Sequence, residues 1–279
     1  ELERLQLELR DIEGVTAIIY DQTCAAEKRR RRKRGLYPDP ARRVFINDAV
    51  CEGCGDCNTA SNCVAVRPLD TPLGRKRVID QSSCNKDFSC LDGFCPSFVT
   101  VEGGKVRKSE PPVVDHANPA TGLPDPVLPE IGDTYNILLT GIGGTGVITV
   151  GANLGMAAYL EGKGCAVLDQ TGLSQKNGAV MSHVAITNNP DKVLGTRIGT
   201  AMSDLIIGFD MVVAAGKAVI NTMSATRTKA VINNHLVPLA AFAERPDMPL
   251  EAGGYTNVIE TALGSGQVDF FDATQQASK

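Results

Sequence analysis

The chain has 279 residues, a net charge of −4 and 43% apolar residues. This length predicts about two domains, and the near-balanced charge gives no indication of a nucleic-acid partner. No apolar stretch is long enough to span a bilayer, and no signal peptide is visible. We therefore expect a cytoplasmic protein that binds neither nucleic acid nor a membrane.

The first 42 residues look like the end of a larger domain. Four apolar residues recur at helical spacing and predict an opening helix: Leu2, Leu5, Leu9 and Ile12. Residues 15–20 predict a buried strand, the last of an upstream domain, so the chain is expected to be a fragment. Residues 28–34 are all basic, which suits a nuclear signal or an RNA-binding arm. We favour a surface segment that contacts a neighbouring domain or an acidic partner.

Seven of the nine cysteines lie between residues 51 and 95 and form two halves of one repeat. The first half has Cys51, Cys54, Cys57 and Cys63, and the second has Cys84, Cys90 and Cys95. A shift of 33 positions places Cys51 on Cys84, Cys57 on Cys90, and Cys54 on Asp87. Such a repeat is typical of a ferredoxin-like module with two iron–sulfur clusters.

In two-cluster ferredoxins the fourth cysteine of each run, often followed by Pro, binds the cluster of the other run. This rule predicts two ligand sets: Cys51, Cys54, Cys57 and Cys95 for the first cluster, and Cys63, Cys84, Cys90 and Asp87 for the second. Carboxylate is a harder ligand than thiolate. The second cluster is therefore either 4Fe–4S with an Asp-bound iron or 3Fe–4S. Cys63 follows an unusually long loop and precedes no Pro, which makes its assignment the weaker one.

Two other roles for the cysteines fit less well. A structural zinc site uses two separated Cys-x2-Cys pairs, and disulfides need an oxidising compartment. Cys24 and Cys165 lie outside the repeat and are expected to be small apolar residues.

Residues 111–133 are expected to be a Pro-rich linker between the cluster module (43–110) and an α/β domain (134–279). Short strands are predicted in the module at 43–47, 77–80 and 99–101. In the α/β domain a helix is predicted at 147–161, and strands at 136–140, 165–169, 181–187, 205–207, 211–214, 229–232 and 268–271. This alternation predicts an open, mostly parallel, Rossmann-like sheet.

The first strand of the α/β domain leads into a glycine loop with the pattern G-x-G-x-x-G. Its proposed binding residues are Gly141, Gly143, Gly144, Thr145 and Gly146, whose N–H groups would face an anion at a helix N-terminus. Asp169 ends the second strand, where a dinucleotide-binding domain has its ribose-binding acid. NAD or flavin is thus a candidate ligand, as is a plain tight turn against a partner.

Polar residues after the second strand offer donors for a carboxylate or phosphate: Ser174, Gln175, Lys176 and Asn177. The alternative is a solvated loop. His116, His183 and His235 show no obvious partner in the sequence, and no nucleophile–base pair can be identified.

The combination of Cys24 within Tyr-Asp-Gln-Thr-Cys-Ala-Ala, the basic run, the cysteine repeat and the Gly141–Gly146 loop resembles the fused indolepyruvate ferredoxin oxidoreductases of bacteria. These belong to the thiamine-diphosphate-dependent 2-oxoacid:ferredoxin oxidoreductases. The resemblance covers nearly the whole chain, with residues 1–42 similar to the end of the thiamine-diphosphate domain and 134–279 similar to the γ-type domain. The Leu173–Val180 segment also matches a motif of that domain.

The resemblance implies oxidative decarboxylation of an aryl-2-oxoacid, with thiamine diphosphate and Mg in the complete enzyme. Coenzyme A would take the acyl group, and the clusters would pass electrons to ferredoxin. It also implies a homo-oligomer that needs the remainder of the polypeptide or a companion subunit. The Gly-Asp-Gly motif for thiamine diphosphate is missing from this sequence, so the chain is not expected to turn over alone. The alternative is an iron–sulfur flavin or NAD(P)H-linked oxidoreductase module.

Overall fold

The computed structural model describes residues 1–104, 124–172, 178–192, 195–237, 245, 248, 251–264 and 266–277. The chain divides into two compact units, residues 1–40 and residues 41–279. Within the described ranges, no helix is both long and apolar enough to cross a membrane.

The first unit contains two helices, α1 (Leu2–Arg10) and α2 (Ala25–Lys33). Helix α1 is confirmed, but it buries none of its side chains. Helix α2 carries the basic run, and its Glu27 accepts a hydrogen bond from Arg31 at 3.0 Å. This hydrogen bond lowers the pKa of Glu27 below its usual value.

The strand predicted at residues 15–20 is wrong. This segment has no regular secondary structure, and Val15 and Ile19 are almost fully exposed. A strand needs a neighbouring strand for its N–H and C=O groups, and in the described part of this unit the two helices are the only regular elements.

The second unit begins with the module that carries the cysteine repeat. Its elements are β1 (Arg43–Ile46), α3 (Asp56–Ser61), β2 (Val66–Thr71), β3 (Gly74–Ile79), a 3₁₀ turn (Ser89–Leu91) and β4 (Phe98–Val101). Strand β1 pairs antiparallel with β4, and β2 pairs antiparallel with β3. Each half of the repeat thus contributes one strand before its cysteine run and one strand after it. The three predicted strands are confirmed, and β2 was not predicted.

The described end of the linker, residues 124–133, has no helix or strand, as predicted. It is tied to the α/β domain where Asn188 donates from Nδ2 to the carbonyl of Ile131 at 3.0 Å, and where Lys192 pairs with Asp133 at 3.2 Å.

The α/β domain follows. Its elements are β5 (Tyr135–Ile142), α4 (Val147–Leu160), β6 (Gly164–Gln170), β7 (Ala179–Thr187), β8 (Leu205–Gly208), α5 (Met211–Ala214), α6 (Lys217–Ile220), β9 (Lys229–Asn233), α7 (Ala252–Leu263), β10 (Val268–Phe271) and α8 (Ala273–Ala277). The six strands form one sheet in the order β10-β9-β8-β5-β7-β6. The pairings from β10 to β5 are parallel, whereas β7 runs antiparallel to both β5 and β6. The predicted open, mostly parallel α/β sheet is confirmed.

The sheet has an apolar core on each face. Because successive side chains of a strand point to opposite faces, Leu138 of β5 packs in one core and its neighbours Ile137 and Leu139 pack in the other. Helix α4 covers the second face through Val147, and α7 covers the first through Ile259 and Leu263.

The strand predicted at 211–214 is wrong, because these residues form helix α5. Asp210 caps this helix: its Oδ1 accepts the N–H of Val213 at 2.9 Å. A short apolar run does not by itself distinguish a buried strand from a buried helix turn, and the capping carboxylate decides the outcome here.

Candidate functional site

The cysteine repeat is also a repeat of backbone hydrogen bonds. The N–H of Cys51 donates to the carbonyl of Asn47 at 2.9 Å, and the N–H of Cys84 donates to the carbonyl of Asp80 at 3.0 Å. The side-chain oxygens of Asn47 and Asp80 each accept the N–H two residues ahead, at 3.1 and 2.9 Å. The two runs therefore begin from the same Asx-type turn, which holds the first sulfur of each run in the same way.

The two runs also share their left-handed backbone positions. Gly53 and Gly55 have φ values of +79° and +85°, and the residues 33 positions later, Lys86 and Phe88, have φ values of +57° and +64°. A left-handed backbone conformation is uncommon for residues other than Gly. The loop around Asp87 thus keeps the conformation of the loop around Cys54.

The structure brings the first predicted ligand set together. Four cysteines line one cavity of about 490 Å³: Cys51, Cys54, Cys57 and Cys95. Cys54 and Cys95 are exposed and Cys51 is buried, so one edge of the cavity faces solvent. The Sγ of Cys95 lies 3.0 Å from the hydroxyl of buried Ser97. Cys90, assigned to the second set, also lines this cavity.

The second predicted set is grouped around Cys90. Burial, with smaller effects of Cys63, Cys84 and Asp87, which are close enough to repel its thiolate, raises the pKa of the Cys90 thiol to about 11. Cys57 acts in the same direction, which places the two sets side by side. In the first set, burial likewise raises the pKa of Cys57 to about 11. Such thiols stay protonated at neutral pH unless a metal displaces the proton.

Asp87 is exposed in this structure. Its Oδ1 accepts hydrogen bonds from the N–H of Ser89 at 3.3 Å and from the Ser89 hydroxyl at 3.0 Å. Its carboxylate is thus held within its own loop, at the position that Cys54 occupies in the first half.

Among residues the structure describes, no three His, Cys, Asp or Glu side chains converge on a point that could hold one metal ion. Cysteines that ligate an iron–sulfur cluster bind different irons, so they surround a space instead of meeting at one point. The cavity lined by the first set has this arrangement, and its residues therefore fit such a cluster.

The buried charged residue of this cavity was not predicted. Arg77 of β3 is 1% exposed and lies in the wall of the cavity beside the first set. Its Nε donates to Oδ1 of Asn58 at 3.1 Å. In the sequence, the only signal for Arg77 is the basic character of β3. This signal does not distinguish Arg77 from its basic neighbours Arg75 and Lys76.

The glycine loop forms a tight strand-to-helix turn. A Cβ at Gly141 would lie 2.8 Å from both Thr145 and Val147, so this position requires Gly. The N–H of Gly143 donates to the carbonyl of Gly178 at 2.9 Å, and the N–H of Thr145 donates to the carbonyl of Ile142 at 3.1 Å. The expectation that the loop N–H groups are free therefore needs correction at these two residues. Gly143, Gly144 and Thr145 are nevertheless exposed, whereas Gly146 is partly buried.

The dinucleotide interpretation of this loop meets an obstacle in the sheet order. In a Rossmann domain the strand that ends in the ribose-binding acid lies directly beside the first strand. Here β7 separates β5 from β6, the strand that carries Asp169. Asp169 is therefore one strand too far from the loop for that role. Ser174, Gln175, Lys176 and Asn177 lie outside the described residues.

Two of the three histidines have partners that the sequence does not reveal. Nδ1 of buried His183 accepts the N–H of Ile198 at 3.3 Å, and Nδ1 of His235 lies 3.5 Å from Oδ2 of Asp272. His116 lies outside the described residues. A second cavity, of about 290 Å³, is lined by His183, Arg197 and Gln170 among others.

The cysteines outside the repeat differ from each other. Cys165 of β6 is half-buried, and burial raises its pKa, as expected for a small apolar residue. Cys24 is exposed at the start of helix α2, so for this residue the expectation is wrong.

The described residues thus form an α/β domain and a cysteine-rich module. Residues 136–273 match the family described as pyruvate ferredoxin/flavodoxin oxidoreductase. The α/β domain of this chain is similar to that family, and the predicted resemblance to 2-oxoacid:ferredoxin oxidoreductases is confirmed at this level.

Two curated relatives carry the name indolepyruvate oxidoreductase subunit IorB. The protein from Pyrococcus horikoshii is 36% identical over 80 residues, and that from Thermococcus kodakarensis is 35% identical over 80 residues. In each case the match covers 29% of this chain and 38% of the relative. A solved structure, pyruvate oxidoreductase subunit PORC from Thermotoga maritima, is 16% identical with a TM-score of 0.35, covering 52% of this chain and 66% of that one.

Proposed function

We propose that this chain is the electron-relay part of an aryl-2-oxoacid:ferredoxin oxidoreductase. In the complete enzyme, indolepyruvate or a similar 2-oxoacid would be oxidatively decarboxylated with thiamine diphosphate and Mg. Coenzyme A would take the acyl group, and ferredoxin would take the electrons. The family of the α/β domain and the names of the curated relatives support this reaction class.

The observation that carries the proposal is the arrangement of the two cysteine sets. Each set combines one run with the last cysteine of the other half, as the crossing rule for two-cluster ferredoxins requires. Cys95 reaches the cavity of the first run, and Cys63 lies close to Cys90 of the second run. This exchange of the last cysteine between the two halves supports two neighbouring redox sites.

Several residues of the module hold the proposed ligands of the two sites in position. Iron–sulfur clusters supply one-electron transfer at potentials set by ligands, hydrogen bonds and solvent exposure. The two Asx-type turns fix the first sulfur of each run, and the backbone N–H of Lys86 donates to Sγ of Cys84 at 3.4 Å. Exposed Cys54 and Cys95 bring the first site to the surface, where ferredoxin would collect the electron. Asp87 would supply the fourth ligand of the second site or leave that corner without a ligand.

The remaining site residues are proposed on weaker grounds. Exposed Gly143, Gly144 and Thr145, with Gly141 and Gly146 shaping the turn, would contact an anionic group of a cofactor or of coenzyme A at the start of α4. Ser174, Gln175 and Lys176 would add donors from the following loop.

The alternative function is an iron–sulfur module that takes electrons from a flavin or from NAD(P)H. The position of Asp169, separated from the glycine loop by β7, argues against it. The visible spectrum of the purified protein separates the two functions, because a flavin band would favour the alternative.

Three measurements test the proposal on protein purified without oxygen. Iron and acid-labile sulfide analysis should find two clusters per chain, and EPR should show two distinct signals. The complete polypeptide with thiamine diphosphate, coenzyme A and indolepyruvate should then reduce a viologen dye. Colourless protein without sulfide would refute the relay, and failure with every aryl-2-oxoacid would refute the enzyme assignment.

A further inference from the structure

Arg77 occupies an unusual position for an arginine. It is 1% exposed, although a buried charge is costly unless its surroundings compensate for it. Its Nε donates to Oδ1 of Asn58 at 3.1 Å, and one terminal nitrogen donates to the carbonyl of Lys76 at 3.1 Å. Asn58 is itself 2% exposed, and its Nδ2 donates to the carbonyl of Val66 at 2.9 Å. This chain of bonds fixes the guanidinium in place.

The guanidinium is fixed beside the first ligand set. Arg77 forms part of the cavity wall together with Cys51, Cys54, Cys57 and Cys95. Asn58, which accepts the hydrogen bond from Arg77, directly follows Cys57 in the chain. Three acidic residues also line this cavity, Glu52, Asp56 and Asp92, but all three are exposed, so solvent screens their charges far more than that of buried Arg77.

The internal repeat breaks at this residue. The position 33 residues before Arg77 is Val44 in β1, and the position 33 residues after Asn58 is Leu91. Val44 is 3% exposed, and its apolar cluster packs against Leu91, against three cysteines of the second set and against one of the first: Cys63, Cys84, Cys90 and Cys57. The two halves of the fold thus place a fixed cation beside the first set and apolar groups at the matching positions near the second.

We infer that Arg77, held by Asn58, raises the reduction potential of the first site above that of the second. This inference rests on the proposed presence of two clusters. Reduction adds one negative charge to a site, and net charge is one of the factors that set its potential. A buried cation favours the more negative, reduced form, and an aspartate at the second site opposes reduction there. One electron therefore passes from the second site, which is oxidised, to the first site, which is reduced and lies at the surface.

The test is a redox titration, followed by EPR, of the complete anaerobic protein and four variants. Arg77→Met and Arg77→Gln remove the charge, and Arg77→Lys keeps it. Arg75→Met is the matched control, because Arg75 lies on the same strand, outside the cavity wall, and pairs with Asp70 at 3.0 Å. Iron and sulfide are measured in every variant before the titration.

We expect the neutral variants to lower the potential of one cluster only. At a fixed solution potential, the ratio of reduced to oxidised cluster should fall about tenfold, which is about 59 mV for a one-electron couple. The other cluster should change much less, Arg77→Lys should stay near the wild type, and Arg75→Met should leave both potentials unchanged.

Three results would overturn the inference while leaving the cluster assignment intact. One is an unchanged potential in loaded Arg77→Met or Arg77→Gln. Another is an equal shift of both clusters, or the same shift in Arg75→Met. The third is loss of iron in both neutral variants, which would make Arg77 a folding residue. Wild-type protein without iron and sulfide would instead refute the proposed function itself.

Discussion

The substitution Gly53→Ala should destabilise the first cysteine loop by more than the cost of placing Ala in a left-handed conformation. Gly53 has a φ of +79°, and a Cβ at this position would overlap the carbonyl oxygen of Arg75 and lie 3.3 Å from its carbonyl carbon. The obstacle is backbone of β3, which cannot rotate away as a flexible side chain can. Relief requires movement of the Cys51–Cys54 loop or of the strand.

Two terms give the size of the effect. A left-handed conformation costs a residue with a Cβ about 1–2 kcal/mol. Forcing additional atoms into a packed region costs about 1–3 kcal/mol. The loss in the free energy of unfolding should therefore be about 2–5 kcal/mol if the two costs add. Because the movement displaces Cys51 or Cys54, the iron content of the first site should fall as well.

The chain offers a control that separates the two terms. Gly74, at the start of β3, has a φ of +92°, and a Cβ there would meet no atom within 4 Å. Gly74→Ala should cost only the conformational term of about 1–2 kcal/mol. The assay is denaturant unfolding of the anaerobic protein, followed by the visible absorbance of the clusters, with iron analysis of each variant. Equal losses in the two variants, or full iron content in Gly53→Ala, would refute the close approach of loop and strand.

The remaining predictions concern the second site and the α/β domain. Asp87→Cys should raise the iron content, or it should convert the EPR signal of the second site to that of an all-cysteine cluster. An unchanged EPR spectrum would show that residue 87 is not a ligand of the cluster. Gly151→Ala should lower the free energy of unfolding by about 1–3 kcal/mol, because a Cβ there would overlap the Ser182 hydroxyl, and adding Ser182→Ala should restore most of the loss. Burial, with a smaller effect of Arg197, lowers the pKa of His183 from 6.5. Its neutral form stabilises the fold, so stability is full above about pH 6.5 and falls as the pH drops toward the lowered pKa. Urea unfolding, followed by circular dichroism, should show that the free energy of unfolding of the wild type falls with pH more steeply than that of His183→Gln, by up to about 1.4 kcal/mol per pH unit. Parallel pH profiles of the two proteins would contradict this.

The parts of the fold that the sequence predicts are those with a local cause. Strands β5, β6 and β9 are short apolar runs bounded by polar or glycine residues, and their positions are confirmed within two residues. The cysteine spacing acts in the same local way, because Asn47 and Asp80 form turns with residues only two to four positions ahead. Patterns of this kind are visible without any knowledge of tertiary contacts.

The parts that the sequence does not predict depend on distant partners. The antiparallel strand β7 separates β5 from β6, and an apolar run has the same appearance in either direction. The segment at 15–20 has strand-like residues, but they are exposed in its own unit. Arg77 differs from Arg75 only in what packs around it, since one is buried in a cavity wall and the other is paired with Asp70.

The loop around Asp87 carries a conformational cost. Lys86 and Phe88 keep the left-handed φ values that Gly53 and Gly55 adopt in the first loop, at about 1–2 kcal/mol each. Neither Lys86 nor Phe88 favours a left-handed conformation, so contacts with neighbouring residues must stabilise it. The N–H of Lys86 donates to Sγ of Cys84, and Phe88 packs against the apolar cluster of Val44. Such strain is typical of segments whose shape serves a function. Lys86→Gly should therefore stabilise the apoprotein by about 1–2 kcal/mol, because it removes the conformational cost at this position and leaves the packing of Phe88 unchanged. We expect iron binding to stay intact in this variant, and loss of iron from the second site alone would contradict the argument.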